Sequence, residues 1–129
     1  MDEQRSVYET VGGQDFFDDL VDRFYDGVAI DPLLRPLYPD DLGEPRRHTS
    51  LFLAQLWGGP GTYSELRGHP RLRARHMPFV IGEPERDAWL GHMAEALSTL
   101  VCERGIDSAV EREMLEYFAR AADFMVNAR

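Results

Sequence analysis

Apolar residues return along this chain every three to four positions and never in sustained alternation, which confines it to helices. The clearest stripe, Phe16, Phe17, Leu20, Val21, Phe24, Tyr25 and Val28, predicts one helix from Gln14 to Ala29, with Gly12-Gly13 at its entrance. Pro32, Pro36 and Pro39 then break helical continuity and make a corner of turns that holds Tyr38. Asp41, Glu44 and Pro45 supply first-turn acids and a first-turn proline for a helix from about Pro45 to Trp57, carrying Leu51, Phe52, Leu53 and Leu56. Gly58-Gly59-Pro60-Gly61 ends it.

The stretch from Thr62 to Ile81 carries two internal prolines and four arginines and is predicted as a loop with one or two short helices. Gly82-Glu83-Pro84-Glu85 opens a long helix to about Arg104, with Trp89, Leu90, Met93, Leu97, Leu100 and Val101 on its apolar side and Gly105 as its stop. Ser108 to Glu111 has capping-box spacing, and Val110, Met114, Tyr117, Phe118, Ala121 and Met125 give the last helix a side to bury. Neither an internal repeat nor a low-complexity tract interrupts this order, so one all-α domain over residues 1–129 is expected.

The 129 residues, 43% of them hydrophobic, can bury a core that also encloses a ligand. A net charge of −9 repels phosphate backbones and anionic lipid, which argues against a nucleic-acid or membrane partner. The start Met1-Asp2-Glu3 lacks a basic, then apolar, leader, and no apolar run approaches the roughly 20 residues that span a bilayer, so a cytoplasmic location is expected. Cys102 stands alone, which leaves no intramolecular disulfide and no cysteine-built metal centre; a packing role is expected for it.

The run Arg67-Gly68-His69-Pro70-Arg71-Leu72-Arg73-Ala74-Arg75-His76-Met77-Pro78-Phe79 resembles the proximal segment of the group II (O-type) truncated haemoglobins. Read without context, a lone histidine between arginines is more often a surface or half-buried residue. The resemblance continues through Tyr8-Glu9-Thr10-Val11-Gly12-Gly13, Phe24-Tyr25, Leu37-Tyr38-Pro39, Trp57-Gly58-Gly59-Pro60, Arg86-Asp87-Ala88-Trp89-Leu90 and Met125-Val126-Asn127, nearly the whole chain. It implies the truncated globin fold, a two-over-two helical sandwich enclosing haem b, with His76 as the iron ligand. Iron needs a neutral imidazole nitrogen on that side.

The resemblance also implies a distal site of Tyr25, Tyr38 and Trp89, whose phenolic and indole hydrogens suit a partly anionic ligand. Without it, Tyr25 and Trp89 are core aromatics on amphipathic helices, whereas a phenol at the Tyr38 corner adds a hydroxyl that is costly to bury alone. Pro45 stands where many globins place a distal histidine, and Thr49, one turn on, where this group often has leucine or glutamine. Thr49 can satisfy its hydroxyl on the preceding helical turn and leave room for a water. Arg75 is the first choice for a haem propionate, Arg73 a weaker one, with His48 and Tyr63 behind them; His69 and His92 are expected to stay off the iron. Phe52, Leu53, Leu72, Phe79 and Met93 are expected as buried pocket walls.

Binding or transport of dioxygen and related diatomic ligands, including nitric oxide and carbon monoxide, is the leading reading. Nitric oxide dioxygenation or peroxide handling is a redox extension that requires an external electron donor, because the sequence has no flavin or nicotinamide fingerprint. A haem-based gas sensor acting through a protein partner and a haem-free helical interaction domain are the alternatives. The oligomeric state, a homodimer included, is open at this stage.

Overall fold

The computed structural model describes residues 6–128, with the backbone alone for Leu72 and Arg73, and every regular element among the described residues is helical. In chain order these are α1 (Val7–Val11), α2 (Gln14–Ala29), a 3₁₀ turn (Arg35–Leu37), α3 (Gly43–Leu56), α4 (Thr62–Arg67), α5 (Leu72–His76), α6 (Glu83–Arg104) and α7 (Ser108–Met125). α2 packs on α3 and α6 on α7, and α2 crosses onto α6, which stacks the two pairs in the predicted two-over-two arrangement. Among the described residues no helix is long and apolar enough to cross a membrane.

The α2 stripe is the centre of the core: Phe16, Phe17, Leu20, Val21, Phe24, Tyr25 and Val28 are all buried, facing Met93, Leu97 and Leu100 of α6 and Met114 and Phe118 of α7. Long apolar side chains at helical spacing put this surface on one side of each helix, and removing it from water stabilises by about 25 cal/mol per Å². Gly105 ends α6 in the left-handed conformation, φ 64°, as its position in the sequence predicts.

Four local features differ from the sequence reading. α1 carries no periodic stripe long enough to notice, yet Ser6 and Glu9 cap it reciprocally: the Ser6 hydroxyl accepts from the Glu9 N–H at 3.1 Å, and Glu9 Oε1 accepts from the Ser6 N–H at 3.2 Å. α3 starts at Gly43, so Pro45 is its third residue, still within the turn whose N–H groups have no helical acceptor. On that helix Leu56 is exposed while Ser50 and Ala54 are buried, because Ser50 bonds to Asp18 and Gln14 of α2 and the small Ala54 admits close approach. The cap of α7 is Asp107, whose carboxylate accepts from the Ala109 N–H at 2.8 Å, which makes Ser108 the first helical residue.

Cys102 is exposed rather than packed, since it lies one position past the buried Val101 on α6. After α3 the chain turns back against α1 through two glycines. Gly58 has φ 104°, and a Cβ on Gly59 would lie 2.6 Å from the Tyr8 ring and 2.8 Å from the Ala54 carbonyl, so only glycine fits.

Candidate functional site: a cavity between the helix pairs

A cavity of about 470 Å³ opens between the two helix pairs, within the size range of small-molecule and cofactor sites. Helical spacing explains who lines it. Phe24 and Tyr25 come from α2; His48, Thr49, Phe52 and Leu53, one face of α3, form a second wall; Glu85, Trp89 and Met93, spaced four apart, come from α6. α4 adds Tyr63 and Arg67, α5 adds Arg75 and His76, and Phe79 and Ile81 follow from the segment after α5. The last helix contributes Tyr117, Phe118, Ala121, Ala122 and Met125, and the proline corner contributes Leu34, Leu37 and Tyr38.

The corner is held by its own side chains. The Arg35 guanidinium donates to the carbonyls of Tyr38, Pro39 and Asp40 at 3.3, 2.9 and 2.7 Å. Asp31 accepts from the Leu33 N–H at 2.9 Å and pairs with His92 Nε2 of α6 at 2.7 Å. His92 is thereby a tie between α6 and the corner.

Hydroxyl and indole groups gather in one region. Tyr25 and Thr49 hydroxyls lie 3.1 Å apart, so Thr49 is partnered across helices rather than on its own preceding turn. The Tyr25 ring meets Tyr38 edge-on at 5.5 Å, Trp89 meets Phe24 at 5.3 Å, and the indole of Trp89, a donor only, lines the same cavity as both phenols. Burial pushes both phenols above the usual tyrosine range; the Thr49 bond and the Arg46 charge partly offset this at Tyr25. Both therefore remain protonated near neutral pH and keep a hydrogen to donate.

The opposite character marks another part of the lining. Arg67 and His48 are in contact, Nη1 to Nδ1 at 3.0 Å, and burial together with Arg67, and less so Arg47 and Arg75, lowers the His48 pKa despite Glu44. Arg75 also donates from Nε to the Pro70 carbonyl at 2.7 Å and from Nη2 to the Arg67 carbonyl at 3.3 Å, so it braces the loop around α5 as well as adding charge.

Every predicted site residue whose side chain is described, namely Tyr25, Tyr38, His48, Thr49, Phe52, Leu53, Tyr63, Arg75, His76, Phe79, Trp89 and Met93, lines this cavity. Leu72 and Arg73 lie outside the described side chains. Phe79 differs from expectation in keeping 40% of its surface exposed, and Phe52 is half-buried, because both stand where the wall meets solvent. The sequence reading missed Arg67, Leu34, Ile81 and the cavity role of α7; only the α7 stripe left a signal, read there as ordinary core.

A planar apolar group with anionic arms and one nitrogen-seeking centre fits these residues. Aromatic and aliphatic walls face it, His76 supplies an imidazole, and Arg67 and Arg75 supply positive charge and, together with His48, hydrogen bonds for the arms. A helical sandwich built around such a cavity, with an imidazole offered from its wall, has the organisation of a globin.

Residues 6–124 match the family described as bacterial-like globin. The chain is 41% identical over 120 residues to the group 2 truncated hemoglobin YjbI of Bacillus subtilis (strain 168), covering 93% of this chain and 87% of that protein. The structure of a thermostable hemoglobin from the actinobacterium Thermobifida fusca superposes with a TM-score of 0.89 at 51% identity, covering 95% and 97% of the two chains. That of the truncated oxygen-avid haemoglobin from Bacillus subtilis gives 0.87 at 40% identity, covering 95% and 100%. The chain belongs to the bacterial-like globin family, among its group II truncated haemoglobins. Membership implies haem and oxygen binding.

Proposed function

We propose that this protein is a haem b protein that retains dioxygen, with His76 as the iron ligand and Tyr25, Tyr38 and Trp89 as the hydrogen-bonding side of the pocket. Haem supplies reversible coordination of a diatomic ligand. The observation that carries the reading is the presence in one cavity of His76 and three protonated or donor-only aromatic side chains. A partly anionic ligand near these donors is stabilised by their hydrogens, and the apolar walls limit water and so slow oxidation. A related structure is that of a haemoglobin described as oxygen-avid, which agrees with retention over rapid release.

Arg67, Arg75 and His48 orient the acidic edge of the cofactor, a role that Arg67 and His48 can share through their mutual contact. Nitric oxide dioxygenation belongs to this proposal only in the presence of an outside electron donor.

Spectra of the haem-loaded protein test it. His76→Gly has no donor at the proximal position, so haem retention falls and the ferrous spectrum changes, and added imidazole restores a five-coordinate ferrous spectrum by filling the vacancy. A Soret band and retention unchanged by His76→Gly would exclude His76 as the ligand.

A further inference from the structure

α5 has five residues, too few to be stable alone, and its N-cap Arg71 sits at φ 48°, a conformation that helps no side chain. What fixes it must come from outside the helix. On the N-terminal side Arg75 grips the carbonyls of Pro70 and Arg67. On the C-terminal side Asn127, two residues beyond α7, does the equivalent. Its Nδ2 donates to the Phe79 carbonyl at 2.9 Å and, more weakly, to the His76 carbonyl at 3.4 Å; its Oδ1 accepts from the Ile81 N–H at 2.9 Å. Two main-chain bonds, from the N–H groups of Asn127 and Ala128 to the Ile81 carbonyl at 2.8 and 3.1 Å, lock the same contact.

We propose that Asn127 is a positioning residue for His76: its side-chain amide fixes where α5 ends, and with it the place of the imidazole on the cavity wall. The inference rests on His76 being the iron ligand. The His76 carbonyl accepts from both the Phe79 N–H, at 3.0 Å, and Asn127, so the backbone that carries the imidazole is tied to the segment after α7. An amide is the suitable group, because one end must donate to carbonyls while the other accepts from an N–H. Leucine has neither function. Aspartate keeps the acceptor and loses both donors.

The test is resonance Raman spectroscopy of the deoxygenated ferrous holoprotein, read at the iron–histidine stretch, with haem transfer to an acceptor apoprotein measured alongside. Asn127→Leu shifts or broadens the stretch and speeds haem loss roughly 10-fold, the lower end of what supporting residues of a metal ligand contribute. Asn127→Asp shifts it in the same sense and carries the test if the leucine variant does not fold. Ser6→Ala, which removes the cap of α1, lowers stability and leaves the band in place. An Asn127→Leu or, failing it, Asn127→Asp protein with a band of wild-type position and width overturns the proposal while leaving the haem reading intact. A wild-type holoprotein with no iron–histidine stretch overturns both.

Discussion

The hydroxyls of Tyr25 on α2 and Thr49 on α3 lie 3.1 Å apart and form a hydrogen bond between the two helices that wall the cavity. Buried polar groups in such a pair are each satisfied by the other, and a phenol engaged in this way is restrained from turning to a ligand. Thr49 thereby takes part in setting the chemistry of Tyr25, although its own hydroxyl is a weak candidate for direct contact.

Thr49→Val keeps the shape and removes the partner, which leaves a buried phenol unsatisfied. The ligand-free protein is expected to lose about 1–3 kcal/mol of stability in denaturant unfolding. The released Tyr25 hydroxyl then serves the bound ligand, and oxygen dissociation slows in stopped-flow measurements. A faster off-rate would show instead that Thr49 aims the phenol at the ligand.

Trp89→Phe retains most aromatic volume and removes the indole hydrogen from the cavity that Trp89 lines. Loss of a hydrogen bond of about 1–2 kcal/mol raises the oxygen off-rate roughly 5- to 30-fold. Tyr25→Phe provides the comparison, and the two effects need not add because both groups border the same space. If Trp89→Phe leaves the off-rate unchanged while Tyr25→Phe raises it strongly, tyrosine alone controls retention.

The boundaries of α2 and α6 are legible because Gly13 and Pro32 flank one long periodic stripe and Gly82, a first-turn proline and Gly105 the other. α1 is not, since five residues show no period and only the Ser6–Glu9 pair marks it. The face of α3 is misread for a non-local reason: Ser50 is buried by partners on α2 more than 30 residues away, and Leu56 falls outside that contact. In the site, His76, Tyr25, Tyr38 and Trp89 stand out by residue type and by family pattern. Arg35 does not, and Asn127 belongs to the family pattern without its role being readable, because what both hold are backbone carbonyls, and a sequence gives no sign of which carbonyls a fold leaves open.

The Asp31 carboxyl is held below its ordinary value near 3.8, first by the hydrogen bond with His92 and then by the Leu33 N–H. A depressed carboxylate contributes stability above its unfolded pKa and loses it as pH falls through the folded one. Asp31→Asn lacks this titration. The stability gap between wild type and variant, measured by thermal unfolding, therefore narrows from about pH 5 to about pH 3. A gap constant over that range would show that the pair contributes through shape and not through charge.

Gly27, inside α2, lies under the His92 ring: a Cβ there would sit 2.5 Å from Nδ1. The ring has to move to admit it, and the 2.7 Å bond from Nε2 to Asp31, which ties α6 to the corner carrying Tyr38, is then lost. Against this, alanine within a helix is favoured over glycine by roughly 0.5–1 kcal/mol. The two terms separate in a double-mutant cycle. Gly27→Ala destabilises the otherwise wild-type protein, whereas in a His92→Ala background, where the three nearest atoms to the new Cβ are gone, the same change stabilises by about 0.5–1 kcal/mol. Denaturant unfolding of the four proteins reads both numbers. Stabilisation in both backgrounds would mean that the imidazole shifts without giving up Asp31, and that glycine at this position is not required by the contact.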